Sequence, residues 1–358
     1  MNREQIFSLT LPSFLGPLMP LMQDPEVTDV LVVGHEDVSY ERCGKLTRSD
    51  IQFSSPHALL ALARHIAEYV DRPLDERHPS CDARLPDGSR VHIVIPPVSR
   101  SGICISIRRF RESRFTLAEL VSVGMLAAQA AEFLSIAVRF KANLLISGGM
   151  GAGKSTLLGA AAGAIPASER LIVIEDTSEL DFRRSGVVYL EAQPPNRDGV
   201  GGISIRGIFY LSLRMRPDRI LIGEVRGSEA LDLIQTMVAG HPGALATIHG
   251  STPYDALSRL ETLCAIHDTA IPLLVVRKQV AAAVNLVVQV VRTLEGLRSV
   301  ISICECRGLT PAGEYQLTEL FCLQAGELVW TGERPLLSDR LKRLGETPST
   351  DLCQELFS

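Results

Sequence analysis

Between about residues 143 and 248 the chain repeats one pattern. A short apolar run ends on a glycine, an acid or a histidine, and a stretch with helical spacing follows. The runs are Asn143–Ser147, Leu171–Glu175, Val187–Leu190, Arg219–Gly223 and Ala244–Ile248, with Asn285–Val291 and Ser299–Cys306 beyond them. Uninterrupted apolar runs alternating with helical stretches predict a parallel sheet covered on both faces, a doubly wound α/β arrangement. The first 110 residues read differently. Val27–Gly34 and Val38–Arg42 predict two strands around a turn, and Pro56–Val70 has apolar residues at helical spacing. Asp82–Ile95 reads as a hairpin around Pro86-Asp87-Gly88, and Ile103–Phe110 as one more strand. The expectation is an α/β chain with a smaller α+β N-terminal domain at 1–110, a linker at 111–118, a main domain at 119–330 and a polar tail at 331–358.

The linker is entered through Arg108, Arg109, Arg111 and Arg114, read either as a solvated connector or as a contact for phosphate or a second subunit. Thr116 and Glu119 follow at capping-box spacing, which predicts a helix start there. Of the 358 residues 46% are hydrophobic and 22% charged, ordinary values for a water-soluble protein. A net charge of -5 with 5% aromatics gives no basic, aromatic-studded surface, which disfavours a nucleic-acid partner. No N-terminal apolar core suggests a signal peptide, and the longest uncharged stretches fall short of the ~20 residues a membrane span needs. The eight cysteines are scattered without a CxxC pair, so reduced, buried thiols are expected rather than a zinc site.

Candidate chemistry centres on Gly148-Gly149-Met150-Gly151-Ala152-Gly153-Lys154-Ser155, followed by Thr156. A glycine loop between a strand and a helix start is a cradle for phosphates. Its backbone N–H groups turn inward where a Cβ would forbid it, and the helix adds orphan donors and a positive dipole end. Lys154 would reach the β- and γ-phosphates of a nucleoside triphosphate, and the Ser155 hydroxyl would ligate Mg²⁺. Hydrolysis also needs acids at neighbouring strand ends. Glu175, before Asp176, is the candidate for polarising the attacking water, unless both acids cap the next turn. Arg219–Gly227 resembles a Walker B strand in which Gly223 takes the place of the usual aspartate, leaving Glu224 to approach the water shell of Mg²⁺ or the attacking water. His249 ends a third strand, where it could report the γ-phosphate. Arg206, Arg214, Arg216 and Arg226 flank the acidic strand ends, and an arginine offered across a subunit boundary would spread transition-state charge. The sequence does not choose among them.

In this order and combination the runs resemble the traffic ATPases of type II and type IV secretion and pilus machines. Glu175-Asp176 looks like that family's Asp box, Gly223-Glu224 like its aspartate-free Walker B and Gly240–His249 like its His box. Arg214–Gly227, Asp82–Val91 and Ala256–Leu263 look most like the CpaF-like branch of tight-adherence pili. The resemblance spans roughly residues 20 to 325. It implies a RecA-like P-loop motor at the C-terminal side, an N-terminal domain closing over the nucleotide, and a ring hexamer. It also implies ATP hydrolysis at the cytoplasmic face of the inner membrane, beside platform proteins that span it. Carried over to this chain, it gives Lys154 and Ser155 to phosphate and Mg²⁺, Glu175 and Glu224 to catalysis, His249 to the His box, and Arg206 to the segment before Walker B. Gln193, Gly207 and Gly250-Ser251 depart from the family pattern, which bears on the subunit boundary more than on ATP binding. Two other readings are a nucleic-acid translocase of conjugation type and a non-hydrolysing ring subunit that ATP merely orders.

Overall fold

The computed structural model describes residues 3–42, 44–109, 115–182, 184–193, 195–196, 199–267, 271–293 and 295–336. They form two compact units, Met1–Arg111 with Pro194–Gly202, and Glu112–Gln193 with Ile203–Ser358. The first unit therefore takes in a short piece that the linear division leaves in the main domain. That piece leaves and rejoins the chain at one neck, because Gln193 and Ile203 form an antiparallel bridge with N–H···O bonds of 3.0 and 2.7 Å. Arg111 and Arg114 of the expected linker, and the tail from 337, lie outside the described residues.

The first unit runs α1 (Arg3–Leu15), a 3₁₀ turn at Gly16–Leu18, α2 (Met19–Gln23), β1 (Val27–Val33), β2 (Asp37–Arg42), β3 (Lys45–Ser49), α3 (Pro56–Tyr69), β4 (Ser80–Arg84), β5 (Arg90–Val94) and β6 (Cys104–Arg108). Its sheet is antiparallel in the order β3-β2-β1-β6-β5-β4. Helix α3 starts where Ser55 accepts a hydrogen bond from the Ala58 N–H and Pro56 takes the first helical position. Its Leu59, Leu62 and Ile66 are buried in one cluster with Val30, Ile93, Ile105 and Ile107 of the sheet.

The second unit runs α4 (Leu117–Ser122), α5 (Ala128–Arg139), β7 (Leu144–Gly148), α6 (Lys154–Ala162), β8 (Leu171–Glu175), β9 (Val187–Glu191), α7 (Ile205–Leu213), β10 (Arg219–Ile222), α8 (Glu229–Val238), β11 (Leu245–His249), α9 (Pro253–His267), α10 (Leu273–Ala283), β12 (Leu286–Arg292), β13 (Arg298–Leu309), β14 (Tyr315–Gln324) and β15 (Glu327–Trp330). Thr116 and Glu119 close the capping box at the start of α4. The sheet order is β15-β14-β13-β12-β7-β11-β10-β8-β9, parallel from β12 to β9 and antiparallel from β13 to β15.

The parallel strands are apolar throughout because both faces are covered. Leu144, Ile146, Leu171 and Val173 point to one face, against α4, α5 and α6. Leu145, Ile172, Ile174 and Ile222 point to the other, against α7 to α10. Arg219, fully buried at the start of β10, pairs with Glu169 and donates to the carbonyl of Val138 at 2.7 Å, so the charge is matched where it is enclosed. Among the described residues no helix is long and apolar enough to cross a membrane.

Candidate nucleotide-binding site

All the strand-end residues singled out in the sequence belong to the second unit, at the carboxyl ends of β7, β11, β10 and β8. In an open parallel sheet ligands bind at that edge. Gly148 ends β7 with no room for a side chain, since a Cβ there would collide with the Val290 carbonyl of β12. Gly151 and Gly153 hold φ of +69° and +96°, left-handed conformations that favour glycine. Gly153 caps α6 without a side chain, so no side-chain oxygen occupies the donors at that helix start. Ser155 and Thr156 stand half-buried on its first turn, whereas Met150 is exposed at the loop's tip and Ala152 is buried beneath it.

Lys154 is folded back onto the loop. Its Nζ donates to the carbonyls of Gly148 at 3.1 Å and Gly149 at 2.9 Å, and lies 3.4 Å from His249 Nδ1. On the other side of the ring, His249 Nε2 is 2.9 Å from Glu224 Oε1, without the alignment of a hydrogen bond. Glu224 Oε2 accepts from Arg226 at 2.7 Å, and Arg226 reaches Asp176 at 3.6 Å. One polar chain therefore crosses four strand ends, Lys154–His249–Glu224–Arg226–Asp176.

The environment sets the charges along it. Burial lowers the Lys154 pKa, and the Glu224 charge works against that shift. Burial, then the Lys154 charge, lowers His249, so its imidazole is neutral at neutral pH. A neutral ring accepting from Lys154 through Nδ1 carries its proton on Nε2, toward Glu224. Burial pushes Glu224 up, but the hydrogen bond and charge of Arg226, with His249 and Lys154, outweigh it and hold the carboxyl below its ordinary value.

Glu175 is placed differently. It is 5% exposed, and its carboxylate accepts from the backbone N–H groups of Glu179 at 3.0 Å and Leu180 at 3.3 Å. It thus fastens the turn after β8, the capping role the sequence left open, and Glu224 is the acid joined to the lysine. Burial pushes the Glu175 carboxyl up to about 7. The side chain also explains the glycine in the Walker B position. A Cβ at Gly223 would lie 2.9 Å from Glu175 Cγ and 3.2 Å from its Oε1. Gly223→Ala is therefore expected to cost ~1–3 kcal/mol through overpacking. Urea unfolding checks this, and an unchanged midpoint would show that the two residues do not compete for space.

The arginines divide. Arg206 is held by Asp232 at 2.7 Å, and Arg214 is exposed at the end of α7. No described contact joins either to Lys154 or Glu224. The structure instead brings in residues that the sequence reading missed. Arg298 Nε donates to the Gly151 carbonyl at 3.1 Å. A cavity of about 470 Å³ beside the loop is walled by Gly149, Met150, His249, Arg259, Gln289 and Arg292. No motif marks Gln289, Arg292 or Arg298, and Arg259 falls within the Ala256–Leu263 run with no role given to it there. They reach the site because β12 pairs with β7 and because α9 starts just after His249.

The donor set suits a nucleoside triphosphate with Mg²⁺. It has a glycine loop with inward room, a buried lysine, a hydroxyl on the first helical turn, and a buried Glu224 Oε1 that no hydrogen bond satisfies.

A family model described as Type II/IV secretion system protein matches residues 14–321. A protein described as a putative conjugal transfer protein of Mycobacterium tuberculosis is 36% identical over 300 residues, 82% of this chain and 84% of that protein. The type IV secretion system protein PtlH of Bordetella pertussis is 30% identical over 302 residues, 78% of this chain and 89% of its own. Among solved structures, the ATPase DotB of Legionella pneumophila superposes with a TM-score of 0.58 at 18% identity, covering 82% of this chain and 81% of that one. The pilus retraction motor PilT, with bound ADP, gives 0.54 at 15% identity, covering 94% and 88%. The fold is that of these two-domain, RecA-like P-loop ATPases.

Proposed function

Because the chain belongs to the type II/IV secretion system protein family, we propose that it hydrolyses ATP to ADP and phosphate to drive pilus assembly or protein secretion. It works as a ring hexamer at the cytoplasmic face of the inner membrane, beside platform proteins that span it. Within the family we place it in the CpaF-like, tight-adherence branch. One observation carries the reading, the polar chain from Lys154 through His249 to Glu224 and Arg226 around the glycine loop.

In this reading Lys154 would leave the carbonyls of Gly148 and Gly149 for the phosphates, and Ser155, with Glu224 acting through water, would hold Mg²⁺. Bound Mg²⁺ supplies charge neutralisation on the phosphate oxygens. Glu224, kept ionised by Arg226, orients the attacking water. Glu175, its carboxyl pushed up to about 7 by burial, can take up a proton at neutral pH. His249 sits between lysine and glutamate and senses whether the γ-phosphate has drawn the lysine away. Arg206 and Arg214, apart from their own chain's loop, are the candidates for acting on a neighbouring subunit.

The test is turnover across protein concentration, for the wild type and Lys154→Ala. We expect a slow basal rate that rises on assembly, and a loss of ~10²-fold or more without the lysine. A ring that forms but never turns over ATP would leave only the scaffold role. A second reading, a conjugation-type motor on nucleic acid, is favoured by the description of the Mycobacterium relative. Stimulation of the same assay by single-stranded DNA at moderate salt would select it.

A further inference from the structure

Gln289 lies within β12, opposite Ser147 of β7, and is 1% exposed. Its Nε2 donates to the Gly250 carbonyl at 3.1 Å, and Ser147 Oγ donates to the same oxygen at 3.3 Å. The other half of the amide is unsatisfied. Its Oε1 is buried with no hydrogen-bond partner among the described residues, and the residue lines the cavity beside the glycine loop. On both sides along the strand stand fully buried valines, Val288 and Val290. An apolar side chain would suit this place better, because a buried acceptor without a donor costs stability. The amide is therefore kept against stability.

What it holds is the residue after His249. Gly250 has no space for a Cβ, which would come 2.6 Å from Ser147 Oγ and 3.1 Å from the Ala256 Cα. The two donors thus meet the carbonyl of a residue already pressed against them, and α9 follows directly. We propose that Gln289 and Ser147 are positioning residues that, by fixing the Gly250 carbonyl, hold His249 between Lys154 and Glu224 for nucleotide turnover. The proposal rests on the ATPase reading. Neither residue belongs to the polar chain of Lys154, His249 and Glu224. Both act through the backbone of Gly250, whose two donors come from the neighbouring strands β7 and β12.

Gln289→Met keeps the volume and removes the donor, and its effects on stability and rate are expected to part company. The unfolding midpoint stays level or rises, because Gly250 keeps the Ser147 bond and the stranded acceptor is gone. The kcat falls roughly tenfold, as a misplacement of up to ~1 Å in a catalytic group does. KM stays within about twofold, since the phosphate cradle is untouched. With His249→Ala in the background, Gln289→Met adds no further loss, because its effect runs through that ring. Ser147→Ala lowers kcat in smaller measure with KM held, and serves if the methionine variant fails to fold.

A midpoint that falls in step with kcat, or losses that multiply with His249→Ala, would make Gln289 a packing residue and overturn the proposal. If wild type and His249→Ala both leave ATP intact, the ATPase reading is what fails. Amide exchange on the same samples then decides the interlock. Exchange about fivefold faster, confined to residues 247–252 in Gln289→Met, upholds it, and unchanged exchange there sinks it.

Discussion

Glu224→Gln is expected to lower the ATP turnover rate by ~10³-fold, inside the range for losing a positioned acid or base, while nucleotide affinity changes little. The argument is the charge state. Glu224 is half-buried, yet Arg226 at 2.7 Å, His249 and Lys154 hold its carboxyl below the ordinary range, so at neutral pH it is an anion fixed at a strand end. An amide keeps the shape and one acceptor but loses the charge that aligns water against the phosphate. The lysine, the glycine loop and Ser155 are unaltered, so binding survives. The effect therefore falls on kcat, and a fluorescent ATP analogue should bind both forms alike. A rate within about threefold of wild type would remove Glu224 from the mechanism. Weakened binding in proportion to the rate would make it part of the cradle instead.

How far the sequence reaches depends on where the information lies. Strand β8 is found residue for residue at Leu171–Glu175, because an apolar run closed by an acid is a local signal. The capping box at Thr116 and Glu119 is local too. Helix α1 is not legible, since Pro12 interrupts it and its apolar residues make no clear stripe. The β14–β15 hairpin beyond Leu309 also escapes. Its strands sit at one end of the sheet, past the run of buried parallel strands that made the others conspicuous.

The site divides in the same way. Lys154 is readable from its glycine loop and Glu224 and His249 as strand ends, and the three are joined in space. Gln289, Arg259, Arg292 and Arg298 are in the site only through tertiary pairing, which no single stretch encodes. Glu175 was readable as a strand-end acid, but the direction of its side chain depends on the turn after β8, and that turn takes its carboxylate.

That capture makes Glu175→Gln the second large effect, with opposite signs for stability and activity. In the nucleotide-free protein, burial raises the Glu175 pKa from 4.5 to about 7, so the folded state binds this proton more tightly than the unfolded chain does. For a group raised on folding, the stabilisation is complete below 4.5. It is lost as pH climbs from 4.5 to about 7, and above that the buried anion costs about 3 kcal/mol. Glutamine is uncharged at every pH, but its amide has one acceptor and so keeps only one of the two turn bonds, a loss of about 1 kcal/mol. At pH 8 the variant should therefore unfold ~4–8 °C higher than wild type, a gap that narrows through pH 7 and reverses near 4.5. The same change removes a carboxyl held near neutrality at the end of the strand paired with the one that leads to Glu224, so turnover at pH 8 should drop by ~10²-fold or more. Two neighbouring carboxyls held at different pKa values are the pattern of an acid-base pair, and a stabilised, slowed variant is what such a pair predicts. Thermal unfolding and ATPase rate across pH 5–8 check both halves. A stability gap that does not depend on pH would mean that Glu175 is not a buried, shifted acid, and full activity would mean that it only fastens the turn.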